Sequence, residues 1–347
     1  MPCSPGSDPL AIGGVFALAA PGAGFGPSLW DHWCGQATRV LCFRNARSAF
    51  AHLLRARAVP RVWLPAYCCA DLAQAAGTCG TPIRFYGGSE TLCPDTAALD
   101  AALRPGDLVL GLNHFGRPNA ALRPLAAART DVTWVEDCAQ AADTATTPWA
   151  RLRLYSPRKL LGVADGGLLI DDTDSLPRPR QRPAASARLR HAGLLRRHNE
   201  AENARWYAAF HRAEARMDVS DHAIDAQTLQ VLRTTALASL ATSRRQNYAR
   251  LHAALADLAL WPEPAPDWVP LGFPIRVPDA AALGAELARH RIFAPRHWAT
   301  LATESPPAIE AALSQQLLTL PCDQRYGPRD MDRLIATVQR CAQWGAK

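Results

Sequence analysis

The chain has 347 residues, 48% of them hydrophobic, enough to bury a large core, and a net charge of +7 with a pI near 9.0. No run of about 18 apolar residues is present to span a bilayer, and the start Met1-Pro2-Cys3-Ser4-Pro5 lacks the charged-then-apolar order of a secretory leader. A soluble, cytoplasmic protein without a membrane partner is therefore expected.

Residues 1–30 read as an N-terminal arm. From Arg39 to Asp172, short β-rich runs alternate with helical stretches, as parallel strands joined by crossover helices do. A helix over Ala46 to Arg57 is followed by the strand Arg61-Val62-Trp63-Leu64, and Ile83-Arg84-Phe85-Tyr86 is the next strand. Asp95 to Leu103 reads as a helix closed by Pro105-Gly106, Leu108 to Leu112 as a strand, and Pro124 to Arg129 as a helix. Val132-Thr133-Trp134-Val135 and Gly167-Leu168-Leu169-Ile170 complete the expected strands.

Much of the positive charge sits in one segment, where Arg178, Arg180, Arg182, Arg188, Arg190, Arg196 and Arg197 interleave with Pro177, Pro179 and Pro183. It reads as an exposed loop leading into a helix, and with no nucleic-acid motif beside it no nucleic-acid partner is expected. From Leu194 to about Leu258 the pattern predicts almost continuous helix. Beyond the proline-rich break Trp261-Pro262-Glu263-Pro264-Ala265-Pro266, the order becomes strand (Leu271 to Val277), helix (Ala280 to Arg289), short strand (Arg291 to Ala294) and terminal helix. This divides the chain into a large unit over 31–243 and a small α+β unit over 244–347.

Ten cysteines lie mostly in apolar stretches without paired C-x-x-C spacing, so buried free thiols are expected in place of disulfides or a zinc site, and no metal is assigned. The vicinal pair Cys68-Cys69 is expected to stay reduced in the cytosol. Lysine is confined to Lys159 and Lys347, while alanine, proline and arginine abound as in a GC-biased coding sequence. Arginine replaces lysine where charge alone matters, so the single internal lysine marks a place that needs an amine. A guanidinium neither deprotonates nor forms an imine.

Val135-Glu136-Asp137-Cys138-Ala139-Gln140 puts an acidic residue just past the carboxyl end of a strand, where open α/β sheets bind ligands. A carboxylate there suits a metal, a ribose or the cap of the following helix. Further on come Leu154-Tyr155-Ser156-Pro157-Arg158-Lys159 and Gly162-Val163-Ala164-Asp165-Gly166-Gly167. Taken together, these segments suit a pyridoxal cofactor, which needs an amine for an imine, a carboxylate to keep its ring nitrogen protonated, and small donors around its phosphate. Lys159 and Asp137 meet the first two needs, Ser156 offers a hydroxyl, and the glycines let the chain turn away from a crowded site.

Over most of its length the sequence resembles the DegT/DnrJ/StrS family of pyridoxal-phosphate sugar aminotransferases. Asn45-Ala46-Arg47-Ser48-Ala49-Phe50 is similar to the family's S-G-T-x-A-L at a helix start, which receives the cofactor phosphate. Leu64-Pro65-Ala66-Tyr67-Cys68-Cys69 resembles the strand-end segment that carries the residue stacked on the pyridine ring. Asn113-His114-Phe115-Gly116 is similar to the H-x-x-G turn, Glu136-Asp137-Cys138-Ala139-Gln140 to E-D-x-A-[QH], and Tyr155-Ser156-Pro157-Arg158-Lys159 with Asp165-Gly166-Gly167 to F-S-x-R-K and D-G-G. Arg244-Arg245-Gln246-Asn247-Tyr248, Phe273-Pro274-Ile275-Arg276-Val277 and Leu320-Pro321-Cys322-Asp323 resemble R-R-x-N-Y, the F-P strand and the late L-P turn.

The resemblance implies fold type I: a mostly parallel central sheet with helices on both faces and a smaller α+β C-terminal part. It implies pyridoxal 5′-phosphate held as an internal aldimine on Lys159, with Asp137 on the ring nitrogen and Gln140 near the phenolic oxygen. Ala46, Arg47 and Ser156 are then the phosphate residues, and Tyr67 or Cys69 lies against the ring. The activity it implies is transfer of an amino group from glutamate to a nucleotide-linked keto sugar, in amino-sugar, polysaccharide or natural-product biosynthesis, by a homodimer. His114, Arg296, His297 and Trp298 are read as positive or aromatic groups that help hold substrate. The chain departs from the family at Ala46, where glycine is usual, at Cys69, where an aromatic residue or histidine is usual, and in lacking the G-[FY]-N-x-R segment that reaches the partner's phosphate. Two other readings are a sugar dehydratase or other imine-dependent lyase, although dehydrating relatives carry histidine in place of the lysine, and a catalytically idle member with a structural or regulatory role.

Overall fold

The computed structural model describes residues 10–22, 26–143, 148–264 and 266–342; Cys3, Ala265, Lys347 and most of the start of the expected arm lie outside the described residues. The strands are β1 (Ile12–Gly13), β2 (Val40–Phe43), β3 (Val62–Pro65), β4 (Ile83–Tyr86), β5 (Leu108–Leu112), β6 (Thr133–Asp137), β7 (Leu152–Tyr155), β8 (Gly167–Asp171), β9 (Phe273–Arg276), β10 (Ile292–Phe293) and β11 (Leu317–Leu320). Seven of them form one sheet in the order β2-β8-β7-β6-β5-β3-β4. The strands from β4 to β7 pair in parallel, and β8 alone runs against both its neighbours.

Both faces of this sheet are covered, which is why β3, β5, β7 and β8 are buried along their whole length, and β3, β5 and β8 read as near-continuous apolar runs. On one side Leu64, Leu110, Leu154 and Leu169 pack with Phe50, Leu53 and Leu54 of the helix Ala46–Arg57. On the other, Tyr155, Leu168 and Ile170 meet Trp33, Val231 and Leu232, while Trp63, Val109 and Trp134 meet Leu99 and Leu122. The period-2 alternation of a strand sends neighbouring residues to opposite layers.

A second core forms around the antiparallel pair β9–β11, where Phe273, Ile275, Leu318 and Leu320 pack with Leu287, Leu334 and Val338. Ile12 belongs to this core, because β1 pairs in parallel with β10. The helix Leu237–Leu255 joins the two regions, with Leu240 and Ala241 in the sheet's core and Tyr248, Leu251 and Leu255 in the second.

The expected helical run from Leu194 to Leu258 is interrupted. Helices cover Ala187–His198, Asn203–Glu214, Ala226–Thr234 and Leu237–Leu255, and residues 215–225 form a non-helical link ending at the Asp225 cap. Local pattern missed the break because residues 215–225 contain neither glycine nor proline; Asp225, the cap of the next helix, accepts from the Gln227 N–H through its side chain. Strands β2, β7 and β11 also went unpredicted, the second because Arg153 interrupts its apolar run; its guanidinium is buried against Asp172 at 2.7 Å. The nine described cysteines are all free; four are buried, four are half-buried and Cys93 is exposed, so burial is less complete than the reading of buried thiols expects. No helix among the described residues is long and apolar enough to cross a membrane.

The link ending at Asp225 is anchored to the turn before β8. Asp165 accepts from the Asp225 backbone N–H at 3.0 Å and from the Thr228 hydroxyl at 2.6 Å, and burial pushes its carboxyl up to about 6 against these bonds. The folded chain thus binds this proton more tightly than the unfolded chain, whose carboxyl titrates near 3.8. The stability this proton confers is complete below that value and is lost as pH rises through about 6. Urea denaturation is expected to show Asp165→Asn gaining on the wild type as pH rises from about 4 to about 7.

Candidate active site

The carboxyl ends of the parallel strands converge on one place. β6 ends at Asp137, and β7 runs into the short turn Pro157–Lys159, whose Lys159 N–H bonds the Ser156 carbonyl at 3.2 Å. The half-buried Lys159 exerts its charge on Asp137, Cys69, His114 and His297, so five side chains from five segments share one neighbourhood. Asp137 is 4% exposed. Burial pushes its carboxyl above the usual range, opposed by the Lys159 ammonium and by the Ala139 N–H, which donates to it at 2.8 Å.

Gln140 is also buried, at 1% exposure. Its Oε1 accepts from the Phe115 N–H at 2.6 Å, which fixes the amide so that Nε2 faces away, and that donor has no partner. A buried orphan donor costs about 1–3 kcal/mol, and an acceptor on a bound group would satisfy it. Glu136, by contrast, is satisfied by Asn113 Nδ2 and the Trp149 N–H and has a structural role.

Beside this group stands the start of the helix Ala46–Arg57. Asn45 caps it, taking the Ser48 N–H at 2.8 Å, and the first amides, of Ala46 and Arg47, have no intrahelical acceptor and suit an anion. Gly166 and Gly167 bring this terminus to the lysine loop. Asn45 bridges to Gly166, whose φ is +124°, and a Cβ on Gly167 would lie 2.1 Å from the Asn45 carbonyl carbon. Only glycine fits that approach. Arg47 reaches Asp71 at 3.4 Å, and Ser156 lies at the start of the lysine turn.

Tyr67 and Cys69 part company. The Tyr67 hydroxyl donates to the His297 carbonyl, and its ring lies 5.8 Å from His114 and 5.6 Å from Trp298. Cys69, at the cap of the helix Ala70–Gly77, is the one of the two whose side chain feels Lys159. Burial is the larger influence on that thiol and pushes it up.

The expectation of positive charge at His114 and His297 is corrected. Burial lowers them to about 4 and about 3, with Lys159 adding to the effect, so both rings are neutral at pH 7. His114 donates from Nε2 to the Tyr67 carbonyl at 2.9 Å, and His297 Nδ1 pairs with Thr319 Oγ1 at 2.9 Å. Arg296 is the cation near the Tyr67 hydroxyl; its Nη2 donates to the Ser314 carbonyl at 2.9 Å and its buried Nε has no partner.

Residues whose role the sequence did not reveal hold the lysine loop. The fully buried Arg244 donates to the carbonyls of Pro270 at 2.8 Å, Leu271 at 3.0 Å and Leu160 at 3.5 Å, and to Gln324 Oε1 at 2.8 Å. Gln324 in turn donates to the Leu160 carbonyl at 2.9 Å. One turn along, Asn247 donates to the carbonyls of Cys322, Asp323 and Tyr326. The R-R-x-N-Y motif is thus a backbone clamp next to Lys159. Arg244→Ala strands several buried acceptors and is expected to lower stability by about 2–4 kcal/mol in urea denaturation, a loss that a surface change such as Arg55→Ala does not share.

Taken together, the amine, the buried carboxylate, the orphan amide and the open helix terminus fit pyridoxal phosphate, with Lys159 for its aldehyde, Asp137 for its ring nitrogen, Gln140 Nε2 for its phenolic oxygen and Ala46 and Arg47 for its phosphate.

No protein-family model matches the sequence, and no curated protein matches it either. Solved structures do. DesI, in a structure with its TDP-sugar product, superposes with a TM-score of 0.66 at 18% identity, over 91% of this chain and 84% of that one. NtdA from Bacillus subtilis, with bound cofactor PMP, gives 0.66 at 16% identity over 92% and 78%. The sugar aminotransferase CalS13 from Micromonospora echinospora gives 0.64 at 17% identity over 96% and 100%. With its mostly parallel seven-stranded sheet, the chain has the α/β fold of these structures, fold type I.

Proposed function

We propose that the chain is a pyridoxal-phosphate-dependent aminotransferase that passes an amino group from a donor, glutamate by family resemblance, to a keto sugar. The observation that carries this reading is the chain's one internal amine, Lys159, set against the buried carboxylate of Asp137 at the carboxyl edge of a parallel sheet. The neighbours support it, since one holds PMP, one a TDP-sugar product, and one is described as a sugar aminotransferase. A homodimer, a cytoplasmic setting and a division of the chain near residue 244 belong to the same reading.

When bound, the cofactor supplies an electron sink that makes the exchange of amine for carbonyl possible. Asp137, kept from water, holds a proton on the ring nitrogen. Gln140 Nε2 donates to the phenolic oxygen and so meets its missing acceptor. Once displaced from the aldehyde, the Lys159 amine takes and returns the proton at the substrate carbon that bears nitrogen. His114 and His297, both neutral, close this space without adding charge to compete with the lysine. Arg296, with an unpaired Nε beside Tyr67, receives the donor's carboxylate.

Two measurements test these assignments. Borohydride treatment of the protein incubated with pyridoxal phosphate is expected to fix one label on Lys159 and none in Lys159→Arg; a label elsewhere, or full turnover by that variant, refutes the reading. Arg296→Gln is expected to raise the donor KM about 10- to 100-fold with kcat little changed, as loss of a charge-assisted hydrogen bond implies.

A further inference from the structure

The helices Ala280–Arg289 and Pro328–Ala342 pack along stripes that end in polar groups. On the first, Leu283, Glu286, Leu287 and His290 follow the i, i+3, i+4, i+7 spacing of one face, His290 being the cap; on the second, Leu334, Val338 and Cys341 share a face in the same way. The leucines and Val338 meet in the second core, and Cys341 packs against its edge. That contact brings the last members of both stripes to one spot. Among the described residues, a carboxylate oxygen of Glu286, a ring nitrogen of His290 and the Cys341 sulfur all lie within 4.8 Å of one another. Cysteine spacing alone points to no metal, since these groups come together only through the packing of two helices far apart in the chain.

Sulfur, imidazole nitrogen and carboxylate oxygen are the donors that zinc takes, and its bond lengths of about 2.0–2.3 Å put tetrahedral ligands about 3.3–3.8 Å apart. His290 Nε2 and Glu286 Oε1 already stand 3.6 Å apart. That is too long for a hydrogen bond, and an exposed ion pair of this kind contributes little by itself, whereas a shared cation gives both groups a partner. His290 is exposed and the other two are half-buried, so a small rotation of side chains completes the approach. Arg289 pairs with Glu286 Oε2, which leaves Oε1 to face His290. Burial pushes the Cys341 thiol up, and the charges of Arg340 and Arg289 pull the other way. The same charges repel a cation. The ion that suits the site is therefore one whose bonds to sulfur and nitrogen outweigh that repulsion, which favours zinc over magnesium or calcium.

We propose that Glu286, His290 and Cys341 bind one zinc ion, with water in the fourth position, and that the ion ties the helix Pro328–Ala342 to the helix Ala280–Arg289. On binding, the Cys341 S–H bond breaks, a sulfur–zinc bond forms and the proton passes to solvent; no electron is transferred. The tie joins two helices of the second core, so a bound ion stabilises the folded chain by mass action. The assignment stands independently of the cofactor proposed at Lys159.

The full chain, freed of metal by chelation and without pyridoxal phosphate, is titrated with Co²⁺ as a coloured stand-in for zinc. Visible bands of tetrahedral cobalt and a near-ultraviolet sulfur-to-cobalt band are expected to saturate together at one ion per chain and to vanish when Zn²⁺ is added. Absence of saturable binding, or cobalt bands without the sulfur band, overturns the proposal. Cys341→Ser is expected to abolish the sulfur band, and both Cys341→Ser and His290→Ala to weaken zinc binding at least tenfold; wild-type affinity in either contradicts it. His290 is exposed, so His290→Ala leaves the packing alone and carries the test if Cys341→Ser unfolds. With Zn²⁺ a hundredfold above its Kd, the wild-type Tm is expected to rise by about 4 °C and that of His290→Ala to stay unchanged. No rise in the wild type, or an equal rise in the variant, overturns the proposal.

Discussion

A carboxylate kept from water is costly, and at Asp137 the charge of Lys159 offsets part of that cost. Burial alone would neutralise Asp137 by protonation; the ammonium opposite and one backbone N–H pull the other way. A parallel sheet suits this arrangement, since its strand ends converge on one edge and can deliver an acid from β6 and, past β7, an amine to one place. The neutral histidines and the orphan Gln140 donor then gather around the pair. Such a cluster is expensive for stability alone, and its cost is understood if a bound group completes it.

The rest of the molecule keeps that edge in register. The two glycines before and at the start of β8 let a helix terminus approach the lysine loop more closely than any side chain permits. From the opposite direction, Arg244 and Gln324 hold the Leu160 carbonyl, so the long helix Leu237–Leu255 and the late turn act as a brace for the loop. That helix also enters both cores, which ties packing of the β9–β11 region to the geometry of the site.

Much of this was legible in the sequence where the signal is local. Uninterrupted apolar strands such as Leu108–Leu112 announce themselves, and Ile83–Tyr86 and the helix Ala46–Arg57 fall where periodicity places them. Lys159 and Asp137 stood out because one residue type is nearly absent elsewhere and the other stands at the carboxyl end of an apolar strand. What depends on contact between distant segments was not legible. The neutrality of His114 and His297 comes from burial, and the clamp roles of Arg244 and Gln324 come from backbone carbonyls that carry no residue identity. The link at 215–225 escaped notice because its anchor, Asp165, lies some sixty residues away in sequence.

Lys159 thus stands between the buried Asp137 and a largely apolar cavity of about 530 Å³. The proposed cofactor assignment turns on where the Lys159 amine and the Asp137 carboxylate lie relative to a bound ring. A crystal structure of the chain grown with pyridoxal phosphate measures this directly. Continuous density from Lys159 Nζ into the ring, with the Asp137 carboxylate at hydrogen-bond distance from the ring nitrogen, is the predicted result. A ring seated elsewhere, or one that leaves Asp137 facing protein alone, would contradict the account.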